Sequence, residues 1–67
     1  MNSIDRHACL IAARLLSQEA AIIHSSYTVR GTNRGVYFWP AYGDGPRMCR
    51  RYVEMRNTAA HLRKMAR

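Results

Sequence analysis

The stretch "RGTNRGVYFWP", residues 30–40, decides the fold because it interrupts two helical patterns with a short segment of β character. Its glycines and asparagine are the residue types that tolerate the positive φ angles of a tight bend. The runs on either side of the bend, "SYTVR" and "VYFW", are rich in β-branched and aromatic residues, which favour strands. We therefore predict a β-hairpin over residues 26–39.

Side-chain alternation gives the predicted hairpin two faces. Tyr37 and Trp39 share one face of the second strand, and Val36 and Phe38 share the other. One face can pack on the helices, which leaves the other for a second use. Because an isolated two-stranded hairpin is marginal in water, two hairpins could join into a four-stranded sheet. A homodimer through the hairpin and a compact monomer both stay open.

A helix is predicted before the hairpin, over residues 4–24. Ser3 is a suitable N-cap, and Asp5 follows in the first turn, where a carboxylate suits the positive end of a helix. Glu19 lies among the apolar residues of this helix, and we expect it to pair with an arginine or a tyrosine hydroxyl at the edge of the core. At about 100° per residue the predicted core face comprises Ile4, Ala8, Ile11, Ala12, Leu15, Leu16, Ile22 and Ile23.

The last helix is predicted over residues 46–66, after a turn over residues 40–45. Asp44 or Gly45 can cap it, and Pro46 suits its first turn. Its apolar residues follow a 4-3-4-3-4 spacing that predicts the surface packed on the first helix: Met48, Tyr52, Met55, Ala59, Leu62 and Ala66. The predicted fold class is α+β: one small domain over residues 1–67, in the order helix–β-hairpin–helix (αββα).

Charge is divided unevenly along the chain. Eleven lysines and arginines stand against four acidic residues, a net charge of +7. Residues 1–26 are neutral overall, residues 27–46 carry +1, and residues 47–67 carry +6. Arg47, Arg50 and Arg51 crowd the start of the last helix, where the helix dipole disfavours cations. This placement indicates a polyanionic partner.

The arginines at the start of the last helix, together with arginines and aromatic residues of the hairpin, define a candidate binding surface for nucleic acid, either DNA or RNA. Arginine binds phosphate, and stacking of a base on an aromatic ring contributes about 1–3 kcal/mol in single-strand binders. The predicted surface combines the hairpin tip with the start of the last helix and contains Arg30, Arg34, Tyr37, Trp39, Arg47, Arg50 and Arg51. The predicted function is that of a small basic nucleic-acid-binding accessory or regulatory protein. The alternative is a phage- or plasmid-type modulator or inhibitor that docks on an acidic surface of a host protein or effector complex.

Catalytic and metal-binding patterns are not evident in the sequence. His7 and Cys9 are two residues apart on a helix and face different directions, and no CxxC or HxxxH spacing occurs. We predict neither an enzyme nor a cofactor or metal. Two cysteines without an export signal predict a cytoplasmic protein, and Arg14, Gln18 and Glu19 interrupt any membrane span.

Overall fold

The computed structural model describes residues 2–30 and 37–67. The elements are α1 (Ser3–Tyr27), β1 (Val29–Arg30), β2 (Tyr37–Phe38) and α2 (Gly45–Met65). β1 and β2 are antiparallel, with Val29 opposite Phe38 and Arg30 opposite Tyr37. The predicted order of helix, two-stranded hairpin and helix is confirmed, in a small and mostly helical domain. The predicted bend at residues 31–35 and the prediction for Val36 lie outside the described residues.

α1 begins one residue earlier than predicted, with Asn2 as its N-cap. The Asn2 side chain accepts a hydrogen bond from the Asp5 backbone N–H at 2.8 Å. Ser3, predicted as the cap, already belongs to the first helical turn. Because Asn and Ser cap helices about equally well, their order in the sequence did not distinguish them.

α1 also continues beyond the predicted end at residue 24, through Tyr27. The Thr28 backbone N–H donates to the His24 carbonyl at 3.0 Å, and the Thr28 hydroxyl donates to the same carbonyl. The predicted start of the strand at Ser26 is therefore wrong. Once a helix is several turns long, each added residue gains a hydrogen bond without a new nucleation cost, which outweighs the β preference of Tyr27.

α1 and α2 pack against each other, and each helix uses one face for this contact. The predicted seam of α2 is confirmed, since all six of its residues are buried or half-buried. The predicted core face of α1 is confirmed on one side only, where Ile23 is buried and Ala12 and Leu16 are half-buried. Its other members are exposed, including Ile4, Ile11, Leu15 and Ile22. The remaining buried residues of α1, Ala13 and Ala20, were not predicted.

Small side chains explain why α1 packs on α2 through the face that contains Ala13 and Ala20. Ala13 and Ala20 on α1 are seven residues apart, as are Ala59 and Ala66 on α2, and all four are buried. A hydrogen bond from Arg63 to Ser17, at 2.8 Å, joins the stretch of α2 between Ala59 and Ala66 to the stretch of α1 between Ala13 and Ala20. Because the distance between packed helices depends on the side chains at the contact, this alanine stripe permits the closest approach.

Candidate nucleic-acid interface

The first two turns of α2 carry Arg47, Arg50 and Arg51, all exposed. A guanidinium nitrogen of Arg47 lies 3.2 Å from a carboxylate oxygen of Asp44, the residue at the N-cap position. Arg50 and Arg51 form no ion pair within residues 2–30 and 37–67. The sequence-based prediction of uncompensated cations at the positive helix end therefore applies to two arginines of the three.

Asp44 explains why the third arginine is paired. Its carboxylate makes no capping hydrogen bond to the first turn of α2 and is directed to Arg47. Because the two side chains are exposed, this pair contributes at most about 1 kcal/mol. Asp44 therefore offsets the charge of Arg47 but leaves the positive end of α2 without a capping carboxylate.

The end of the hairpin is held against the start of α2. Gly45, the first residue of α2, is buried, and an added Cβ would lie 2.0 Å from the Pro40 carbonyl oxygen. This contact holds the segment that follows β2 against the first residue of α2. Arg30 is exposed on β1 and opposes Tyr37 across the hairpin. Arg34, also predicted as a site residue, lies outside the described residues.

An aromatic cluster joins the end of α1, β2 and α2. The ring of Tyr37 lies 5.7 Å from that of His24, and the ring of Trp39, the residue after β2, lies 5.9 Å from it. Both side chains therefore lie on the side that faces His24, in agreement with the predicted alternation. The Trp39 ring also lies 5.3 Å from that of Tyr52. Trp39 is therefore half-buried and offers less stacking surface than predicted, whereas Tyr37 keeps 54% of its surface exposed.

Tyr42 was not identified from the sequence, although it is 79% exposed. It lies in the loop before α2, and its carbonyl accepts a hydrogen bond from the Gly45 N–H at 3.2 Å. The sequence feature that could have identified Tyr42 is its place within the turn "PAYGDGP", where an aromatic side chain has no strand or helix face to pack on. Tyr42 adds an exposed ring in the loop that leads into α2.

Other arginines of α2 make contacts within the protein. The Arg56 guanidinium lies 5.8 Å from the centre of the Tyr52 ring and donates to the Tyr52 hydroxyl at 3.4 Å. Arg63 donates to the Ser17 hydroxyl and so links α2 to α1. Arg56 therefore has a partner within α2 and Arg63 one on α1, which distinguishes both from Arg50 and Arg51.

Other site chemistry is limited in the part of the chain that the structure describes. There, no group of three or more His, Cys, Asp or Glu residues could hold a metal ion. Cys9 and Cys49 are both half-buried and form no disulfide with each other. Neither described helix has the length and apolar character needed to cross a membrane.

None of the protein-family models, curated proteins or solved structures compared with this chain matches it.

Proposed function

We propose that this chain is a small basic nucleic-acid-binding accessory or regulatory protein of the cytoplasm. Arg50 and Arg51 bind phosphates at the start of α2, and Arg30 adds a further cation from the hairpin. Tyr37 and Tyr42 supply rings on which an unpaired base can stack. Arg34 belongs to the proposed surface through its place in the sequence.

The exposure of Arg50 and Arg51 without an acidic partner is the observation that carries the proposal. All four acidic residues of the chain are described, and the one ion pair they form there is that of Asp44 with Arg47. The positive end of α2 and the two guanidinium groups add potential of the same sign. A polyanion that binds here compensates charges that the protein itself leaves unbalanced.

The test is fluorescence anisotropy with labelled duplex DNA, single-stranded DNA and RNA, each titrated across a salt series. Each phosphate contact to duplex DNA contributes about 0.9 to the slope of log K against log salt. We expect the double variant Arg50→Ala, Arg51→Ala to bind more weakly and to lower this slope by about 1.8. A preference for one of the three probes identifies the form of nucleic acid bound.

A charge-matched control separates this site from a general effect of net charge. Lys64→Ala with Arg67→Ala removes the same two charges at the other end of α2, more than about 20 Å along the helix. We expect this control to change the slope much less. Equal effects of both double variants would contradict the proposed site. Binding that vanishes at moderate salt would contradict the function and favour a protein-binding modulator that docks on an acidic surface.

A further inference from the structure

α1 carries a second apolar stripe that the packing of α1 on α2 does not use. Its residues follow a 4-3-4-3-4 spacing, the pattern of a coiled-coil seam. Ile4 is 78% exposed, and Leu15 and Ile22 are each 59% exposed. A shallow groove lined in part by Leu15, Gln18 and Ile22 lies along this face. The stripe, defined here as the outer seam, consists of Ile4, Ala8, Ile11, Leu15, Gln18 and Ile22, and Gln18 is its one polar residue.

The chain has more surface than a compact protein of its mass. Its accessible surface is 5323 Å², whereas a folded monomer of 7.7 kDa is expected to expose about 4300 Å². Its extents are 48 × 24 × 14 Å, so it is elongated, with two helices and a short hairpin as its elements. Two helices that contact each other through one face each leave their other faces without a packing partner.

Burial within the chain is correspondingly limited. Its buried apolar residues are four alanines and Ile23, and no large side chain is fully buried among residues 2–30 and 37–67. The excess surface, about 1000 Å² over the compact expectation, is close to the 800 Å² or so that each partner contributes to a standard interface. One interface of ordinary size therefore suffices to complete the core.

We propose that a second copy of this chain covers the outer seam, with the two α1 helices parallel. The charges beside the seam support a second copy as the occupant. Arg14 and Glu19 are five residues apart on opposite sides of the seam, and both are exposed. In a parallel coiled coil, residues at this spacing on the two helices form ion pairs from one helix to the other. Each Arg14 then meets Glu19 of the other copy.

Glu19 gives this arrangement independent support. It was expected to pair within the chain, yet it forms no ion pair in the described part of the protein. In the parallel dimer two symmetric Arg14–Glu19 pairs flank the seam. The hairpin offers less for self-association, because each described strand contains two residues.

Sedimentation equilibrium of the full chain over a concentration series tests the proposal. We expect the wild-type protein to have twice the monomer mass of 7.7 kDa. Leu15→Lys places a charge in the seam and should weaken dimerisation at least about 100-fold. Leu10→Lys is the matched control, since Leu10 is 45% exposed on the opposite side of the same helix. It should leave the dimer intact.

Charge reversal tests the parallel arrangement with exposed residues, so it does not depend on whether Leu15→Lys folds. Arg14→Glu or Glu19→Arg alone should weaken dimerisation about tenfold, because each creates two repulsive pairs. The double reversal should restore the wild-type affinity. A monomeric wild-type protein would overturn the proposal. It would indicate that a different protein covers the outer seam. Failure of the double reversal to restore dimerisation, or equal effects of Leu10→Lys and Leu15→Lys, would overturn it as well.

Discussion

Gly45 lies where the chain turns from the hairpin into α2, and the Pro40 carbonyl occupies the space that a side chain would need. Two residues earlier, Gly43 adopts a φ of 61°, which favours glycine for a different reason. A Cβ at Gly43 would contact nothing within 4 Å. The same loop thus contains one glycine required by close approach and one required by backbone conformation.

This difference predicts unequal costs for the same substitution. Gly43→Ala should lower the free energy of unfolding by about 1–2 kcal/mol, the usual cost of a left-handed conformation. Gly45→Ala should lower it by about 3 kcal/mol, because the backbone at Pro40 must move away. Urea unfolding of both variants at one protein concentration measures the two values. An equal or smaller loss at Gly45 would show that the loop adapts to a side chain there.

The two helices differ in how well their packing follows from the sequence. On α2 the apolar residues form one seam, and that seam is buried as predicted. On α1 two stripes compete: the larger, more hydrophobic one around Leu15, and the one that contains Ala13 and Ala20. Hydrophobicity alone predicts that the face with the larger side chains packs on α2. However, α2 has Ala59 and Ala66 at the same spacing as Ala13 and Ala20, and small residues on both helices allow the backbones to approach closely. The alanine face of α1 is therefore the one that packs. That choice depends on both helices together and could not be predicted from either one.

Close packing through alanine makes α1 sensitive to side-chain size at one position and insensitive at the next. Ala20 is 1% exposed, whereas Ala21 is exposed on the same turn. Ala20→Leu should lower the free energy of unfolding by about 1–3 kcal/mol, since the helices must separate to admit the larger side chain. Ala21→Leu should change it by less than about 0.5 kcal/mol. Thermal unfolding followed by circular dichroism compares the two, and similar midpoints would contradict the close alanine contact.

For the candidate site, features local in sequence were predictable and features that join distant elements were not. The exposure of Arg50 and Arg51 follows from their positions on α2, away from its seam. The packing of Trp39 against His24 and Tyr52 required the tertiary structure, because His24 lies in α1, Tyr52 in α2 and Trp39 in the segment between β2 and α2. At the scale of the whole molecule, the proposed parallel dimer would have the arginine-bearing start of α2 from both copies at the same end.

A dimer that completes the core also links stability to protein concentration. If the second copy binds only the folded chain, each tenfold rise in concentration stabilises the dimer by about 1.4 kcal/mol. For two chains of 67 residues, an unfolding entropy of about 2.1 cal/mol/K per residue converts this to a rise in Tm of about 5 °C. Calorimetry at three concentrations measures it, with Leu10→Lys as the variant that should keep the dependence. A Tm independent of concentration would mean that the monomer is stable alone, because a folded monomer unfolds without a change in the number of molecules.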